Sequence, residues 1–465
     1  MTKIGEVLAK ALGADRVSEA KEALAAHRVD YWFLAHLREF QGRAGRGPAC
    51  VVTPRSTEEV ATAVRTAQHH GVAIVPYGGG SGVLGGAVPP DGALVIDLRA
   101  MNALLDLNET ALTARVQAGM MGDVYEATIT ARGYTTGHYP QSIARATVGG
   151  LVATRSAGQF STKYGNIEDL LLGMEAVLPS GSVVRLDTFP RSATGPQLRE
   201  LFLGSEGAFG IVTEATLKVF PLPERREVAS FAFPTMADGL EAIRRIVRPG
   251  WRPAVVRLYD QLESARHFSA HGAPADRCML LVVCEGPAAL ASAELRACTD
   301  VAEAMRATSV GAEPVTHWLG NRNNVPSWDF FLQNGLVVDT IEVAATWDRV
   351  SALYDRVVAS LGKVPGLIAG SAHSSHSYGQ GTNLYITFAI KPDDYADAER
   401  LYLAAWGCVM ETTIAAGGTI AHHHGIGRLR VPWLERELKT AYPVLQALKR
   451  ALDPAGLMNP GTLLR

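Results

Sequence analysis

The chain has 465 residues, is 47% hydrophobic and carries a formal net charge of −2. Single cores rarely grow past roughly 250–300 residues, so two or more domains are expected. Scattered lysine and arginine leave no footprint for nucleic acid, and the longest apolar run, Met279–Cys284, is far short of the roughly 20 residues that cross a bilayer.

In chain order, residues 1–47 read as a helical segment from their Ala-, Leu- and Glu-rich periodicity, closing on a Gly-rich turn at 42–47. No charged leader with an apolar segment opens the chain, and the five cysteines (Cys50, Cys278, Cys284, Cys298, Cys408) form no CxxC pair. Both features lead us to expect a cytoplasmic, reducing setting. A strand at 49–52 is followed by the capping box Ser56-Thr57-Glu58-Glu59, which opens a helix that stops at Gly71. The strand Ala73-Ile74-Val75 then delivers Pro76-Tyr77-Gly78-Gly79-Gly80-Ser81-Gly82-Val83-Leu84-Gly85-Gly86, with six glycines in nine residues. Bare backbone of this kind can form a nest of N–H groups for phosphate oxygens. The spacing Gly80-x-Gly82-x-x-Gly85 satisfies a dinucleotide fingerprint, but that reading needs a helix directly afterwards. Gly86, Pro89, Pro90, Asp91 and Gly92 describe turns instead. An ordinary mobile glycine loop is the plain alternative.

Strands are expected near 94–98 and 112–116, and a helix from Gly122 to about Arg132. A second glycine-dense stretch spans 135–158, where Gly149-Gly150 points to backbone held against a ligand or, equally, to simple close packing. A hairpin follows at 173–186, and Gly204-Ser205-Glu206-Gly207 turns into a strand near 211–215. Pro221 and Pro223 mark a boundary, beyond which strands (255–259, 336–339, 384–389) alternate with amphipathic helices (239–247, 288–307, 349–361). The fold class is α+β, with the region beyond Pro223 forming a separate α/β cap. The divisions are a helical segment 1–47, a ligand-binding domain 48–223, a cap or substrate domain 224–415 and a C-terminal segment 416–465 returning to the site.

His422-His423-His424 follow a short apolar strand, so alternation places His422 and His424 on one face and His423 on the other. Imidazoles suit proton transfer, although a solvated polar loop would carry the same residues. Arg257 at a strand centre is costly to bury unpaired, so it should meet an anion, line a cavity or form a structural ion pair. Tyr385, on its own, reads as a core or rim tyrosine.

Four glycine-rich segments on β-structure, in this order, resemble the flavoproteins of the vanillyl-alcohol oxidase/p-cresol methylhydroxylase type and the FAD-linked D-2-hydroxy-acid dehydrogenases. Within that family, Ser142–Gly150, Tyr164–Leu170, Gly204–Gly207, Arg257–Asp260 and His422–Arg430 are most similar to alkyldihydroxyacetonephosphate synthase, which makes the ether bond of ether lipids. The resemblance implies a two-subdomain FAD-binding domain of the PCMH type and an FAD-linked oxidase C-terminal cap. It also implies that Pro76, Gly78, Gly79, Gly80, Ser81 and Gly82 cradle the FAD pyrophosphate. Gln141, Ser142, Thr147, Gly149, Gly150, Thr154, Ser156, Ala157, Glu206, Gly210, Ile211 and Val212 would complete the cofactor site. The glycine loop lacks the histidine or cysteine that attaches FAD covalently in some relatives, so the FAD is expected to be non-covalent.

By the same resemblance, Tyr385, His422, His423, His424 and Arg257 are catalytic, and Arg257, His373 and His138 bind substrate. His373 stands where the synthase has a second arginine, which puts recognition of a phosphorylated acyl ester in doubt. The metal-binding run of the hydroxy-acid dehydrogenases is replaced by Tyr378–Tyr385, with His423 at the later glutamate position, so no metal site is expected. The implied protein is an FAD enzyme acting on a small oxygenated substrate, with oxygen or a carrier as possible electron acceptor and a homodimer possible. Metal-free hydroxy-acid or alcohol oxidation and a flavin-binding protein without turnover are the alternatives.

Overall fold

The computed structural model describes residues 2–464. Three short helices, Lys3–Leu12, Lys21–Ala26 and Phe33–Phe40, occupy the N-terminal segment, but it is not wholly helical as expected. Val17-Ser18 forms a short strand antiparallel to Val51-Val52. The reason is local: Gly13, at φ 101°, ends the first helix and lets the chain turn into an extended stretch beside the sheet.

The first sheet has four strands, ordered Val17–Ser18, Cys50–Val52, Leu94–Asp97 and Ile74–Tyr77, the last three parallel. Ser56 caps the helix Thr57–His69 by accepting from the Glu59 N–H, and the Glu59 carboxylate accepts from the N–H of Arg55. Parallel pairing needs cover on the sheet faces, which this helix supplies through Val60, Val64 and Ala67. Ile74–Tyr77 ends at the glycine loop, and residues 78–90 contain no helix.

A five-stranded antiparallel sheet follows, ordered Leu104–Asn108, Thr113–Gln117, Ile211–Lys218, Leu171–Val177 and Val183–Leu186. The hairpin read from the sequence is its edge. Gly149 and Gly150 lie in a short helix, Val148–Ala153, whose first turn is capped by Thr147 Oγ1 accepting from the Gly150 N–H. A Cβ on Gly149 would stand 2.6 Å from the Ala118 side chain, so this glycine is needed for close packing.

The cap is a seven-stranded antiparallel sheet, ordered Thr308–Gly311, Arg225–Phe233, Cys278–Gly286, Val255–Tyr259, Leu367–Ser374, Gly381–Ile390 and Val337–Thr346. Helices Met236–Val247, Ala288–Ala304, Trp347–Leu361 and Ala398–Ala415 pack on it. Strand alternation divides its residues. Val256, Leu258, Ala372, Leu384, Ile386 and Phe388 enter the core under the helices, whereas Arg257, Tyr259, His373, Tyr385 and Thr387 line a cavity. No helix among the described residues is long and apolar enough to cross a membrane.

Candidate active site

One cavity of about 670 Å³ runs from the glycine loop to the open face of the cap sheet. That volume lies within the roughly 300–1,000 Å³ usual for ligand pockets. Every residue of the cofactor set named from the sequence lines it, as do Arg257, His373, Tyr385, His423 and His424. His138 and His422 do not. His138 is buried behind Ser156, with Nε2 2.8 Å from its Oγ, and burial pushes its pKa down to about 4.

At the loop end the backbone fits an anionic dinucleotide. None of the N–H groups of Gly78–Gly86 donates to a protein acceptor among the described residues, so the stretch presents free donors to the cavity. A Cβ on Gly79 would stand 1.7 Å from the Arg145 carbonyl oxygen, and Gly80 adopts φ 64°. Two buried carboxyls lie beneath this loop. Asp30 accepts from the N–H groups of Trp32 and Ala87, and Glu206 accepts from those of Ile426 and Gly427. Burial pushes both up to about 7. Glu206 thereby ties the glycine-rich tail of the triple histidine to the cofactor cradle.

At the cap end the sheet register builds a row. Tyr259 pairs with His373, His373 with Tyr385, and Tyr385 with Glu342, across four neighbouring strands. Arg257 donates from Nε to the Tyr259 hydroxyl at 2.6 Å and from a terminal nitrogen to His373 Nε2, also at 2.6 Å. The other face of the imidazole is held by Glu263, whose Oε2 is 2.7 Å from His373 Nδ1. Burial, reinforced by Arg257, pushes His373 down to about 4. Burial alone would raise Glu263, but its contact with His373 holds it at about 2. The chain is therefore a carboxylate, a neutral imidazole donating from Nδ1, and a guanidinium. Thr340 donates to the Tyr385 hydroxyl at 3.0 Å, and burial pushes that phenol up to about 12.

The histidines do not alternate as the sequence predicts, because residues 421–427 form no strand. The turn is shaped from a distance: Glu342 Oε1 accepts from the backbone N–H groups of His423 and His424, and Arg430 grips the same carboxylate. Glu342 and Arg430 are both fully buried. Although burial opposes it, Arg430 and then His424 hold Glu342 well below the ordinary carboxylate range. His424 Nδ1 stands 2.7 Å from Glu342 Oε2, at hydrogen-bond length though out of line for an ideal bond. His422 faces away from the cavity, with Nε2 2.8 Å from the Tyr378 hydroxyl and Nδ1 2.8 Å from His423 Nδ1. His376 joins them from the cap. Burial pushes His422 down to about 4 and holds His376 and His423 well below the usual imidazole range, so all three rings are neutral.

Sequence reading missed Glu263, Glu342, Arg430 and His376. Glu342 carried a signal, a charged residue between Ile341 and Val343 in an apolar strand; Glu263 reads only as an acid in a first helical turn. The cap also contributes Arg266, His267, Trp318 and Arg322 to the cavity wall, and Tyr31 and Trp328 form an aromatic edge.

A free-donor glycine cradle joined through one cavity to a row of titratable groups on an antiparallel cap defines a two-domain flavoprotein. Family comparison agrees: the FAD binding domain family matches residues 48–187, and the C-terminal domain of the FAD linked oxidases matches residues 222–463. The chain belongs to the FAD-linked oxidase family, and FAD is its cofactor. It is 35% identical over 481 residues to the uncharacterised FAD-linked oxidoreductase YgcU of Escherichia coli O157:H7, covering 99% of this chain and 98% of that protein. It is 30% identical to alkyldihydroxyacetonephosphate synthase of Dictyostelium discoideum, over 97% of this chain and 79% of the synthase. A solved alkyldihydroxyacetonephosphate synthase structure superposes with a TM-score of 0.82 at 28% identity, covering 98% of this chain and 85% of the other.

Proposed function

We propose that this flavoenzyme oxidises a small hydroxylated anion, with Arg257 holding the anionic group. One observation carries the reading. Arg257 stands in the cavity wall without a carboxylate partner among the described residues; its hydrogen bonds go to the Tyr259 hydroxyl and a neutral imidazole, and it lies over the Tyr259 and Trp318 rings. A half-buried guanidinium left without a counter-charge favours an incoming carboxylate or phosphate. The bound flavin supplies the two-electron acceptor, and oxygen or a carrier protein takes the electrons onward.

The wall residues divide the remaining work. Tyr385 keeps its proton at any working pH and donates a hydrogen bond to the substrate oxygen. His424, backed by Glu342, takes the hydroxyl proton as the carbon is oxidised. His373 does not bind the anion itself. Both of its nitrogens are occupied, and it relays the Glu263 charge to orient Arg257.

A second reading, a synthase-type exchange without net oxidation, is favoured by the long alignment with the synthases. It is opposed by His373, which supplies no second guanidinium for a phosphate. Mixing the oxygen-free holoenzyme with 2-hydroxy acids, small alcohols and acyl-dihydroxyacetone phosphate separates the two. Bleaching of the flavin by a hydroxy acid or alcohol, reversed by air, is the expected result. Fatty acid release by a fatty alcohol, with no bleaching, would establish the synthase reading instead.

A further inference from the structure

We propose that His376, His422 and His423 bind one divalent transition-metal ion of the zinc type at the cavity wall. Their ring centres stand 5.0 Å apart in all three pairings, and one nitrogen from each lies within 4.8 Å of the others. Two imidazoles on one ion, at a Zn–N distance of about 2.0–2.1 Å and a tetrahedral angle, have ring centres roughly 5 Å apart. Three such rings leave the fourth position of the tetrahedron open.

The surrounding hydrogen bonds suit the same arrangement. Ser161 Oγ lies 2.8 Å from His376 Nδ1, and the Tyr378 hydroxyl lies 2.8 Å from His422 Nε2. Ligating histidines commonly engage their second nitrogen this way, which leaves His376 Nε2 and His422 Nδ1 for the ion. His422 Nδ1 and His423 Nδ1 face each other at 2.8 Å and share one proton between two lone pairs. An ion takes the place of that proton once the pair opens by about 0.5 Å. An all-imidazole set selects zinc or cobalt over calcium or magnesium, which prefer oxygen. His376 and His423 line the cavity, so water or a substrate oxygen would complete the coordination. Of the hydroxy-acid dehydrogenase motif positions, Tyr378, Tyr385 and His423, only His423 is shared with this set, and the site does not depend on the proposed oxidation.

The test is titration of chelator-treated, dialysed holoenzyme with Co²⁺ and then Zn²⁺. One Co²⁺ per chain should bind, giving visible absorption at wavelengths longer than the flavin bands, and one Zn²⁺ should displace it. His376→Ala and His422→Ala should each weaken binding at least about 100-fold with FAD content unchanged, and Ser161→Ala about tenfold. Absence of stoichiometric binding to the wild type, or binding that these variants leave unchanged, would overturn the site. Should His376→Ala fail to fold, judged by lost flavin, the wild-type stoichiometry and Ser161→Ala decide the question.

Discussion

Arg257 donates to the Nε2 of His373 across 2.6 Å, and Glu263 holds the opposite nitrogen of the same ring at 2.7 Å. The imidazole is thus spent on orientation, which leaves Arg257 facing the cavity with no carboxylate partner among the described residues. This pairing separates the chain from the synthase it resembles, which places an arginine at that position.

Restoring that arginine tests the point. His373→Arg should tighten binding of acyl-dihydroxyacetone phosphate by about tenfold, or about 1.4 kcal/mol, because a second guanidinium adds charge-assisted bonds to phosphate. Titration followed by flavin absorbance measures it. Unchanged affinity removes the argument that His373 excludes the phosphorylated substrate.

The cofactor cradle depends on missing side chains. Gly79→Ala would drive a Cβ into the Arg145 carbonyl, so the variant should purify without flavin colour. Gly320→Ala is the control. That glycine lies in the helix Glu313–Asn321 with nothing within 4 Å of a new Cβ. It should keep its FAD and gain about 0.5–1 kcal/mol of stability.

The carboxyls under the loop predict a pH dependence. Asp30 and Glu206 stay protonated in the folded chain up to about 7, whereas in the unfolded chain they ionise near ordinary carboxylate values. The folded state therefore binds more protons across that window, and apoprotein stability falls as pH rises through it. Ionisation also places negative charge beside the phosphate cradle. FAD affinity, measured by fluorescence of released flavin, should fall as pH rises from 6 to 9, and Glu206→Gln should flatten the decline.

Arg430 and Glu342 form a buried pair whose partners are unequal to lose. Arg430→Met strands a buried carboxylate and should cost about 3–5 kcal/mol, whereas Arg430→Met combined with Glu342→Leu should recover much of it. Denaturant titration of both variants tests the pair. Because Glu342 also accepts from His423 and His424, activity should not return with stability in the double variant.

The cofactor half was largely legible because its chemistry is local. The strand into Pro76, the glycine run and the missing helix can all be read within twenty residues, and Pro76 and Gly78–Gly82 line the cavity. Arg257 was legible for a similar reason, as a charge at a strand centre. The histidine turn was not. Its shape comes from Glu342, some eighty positions away, and from Arg430, and no periodicity reports an acceptor on a distant strand. His376 lies three residues beyond His373, yet only the fold brings it to His422 and His423.

The most direct measurement compares the oxygen-free wild type with Arg257→Leu, both loaded with FAD, titrated with small 2-hydroxy carboxylates while flavin absorbance is followed. The account predicts saturable bleaching or a spectral shift in the wild type, weakened at least about 100-fold, or about 2.7 kcal/mol, in the variant at equal FAD content. Equal responses in the two proteins, or none from any hydroxylated anion, would contradict it.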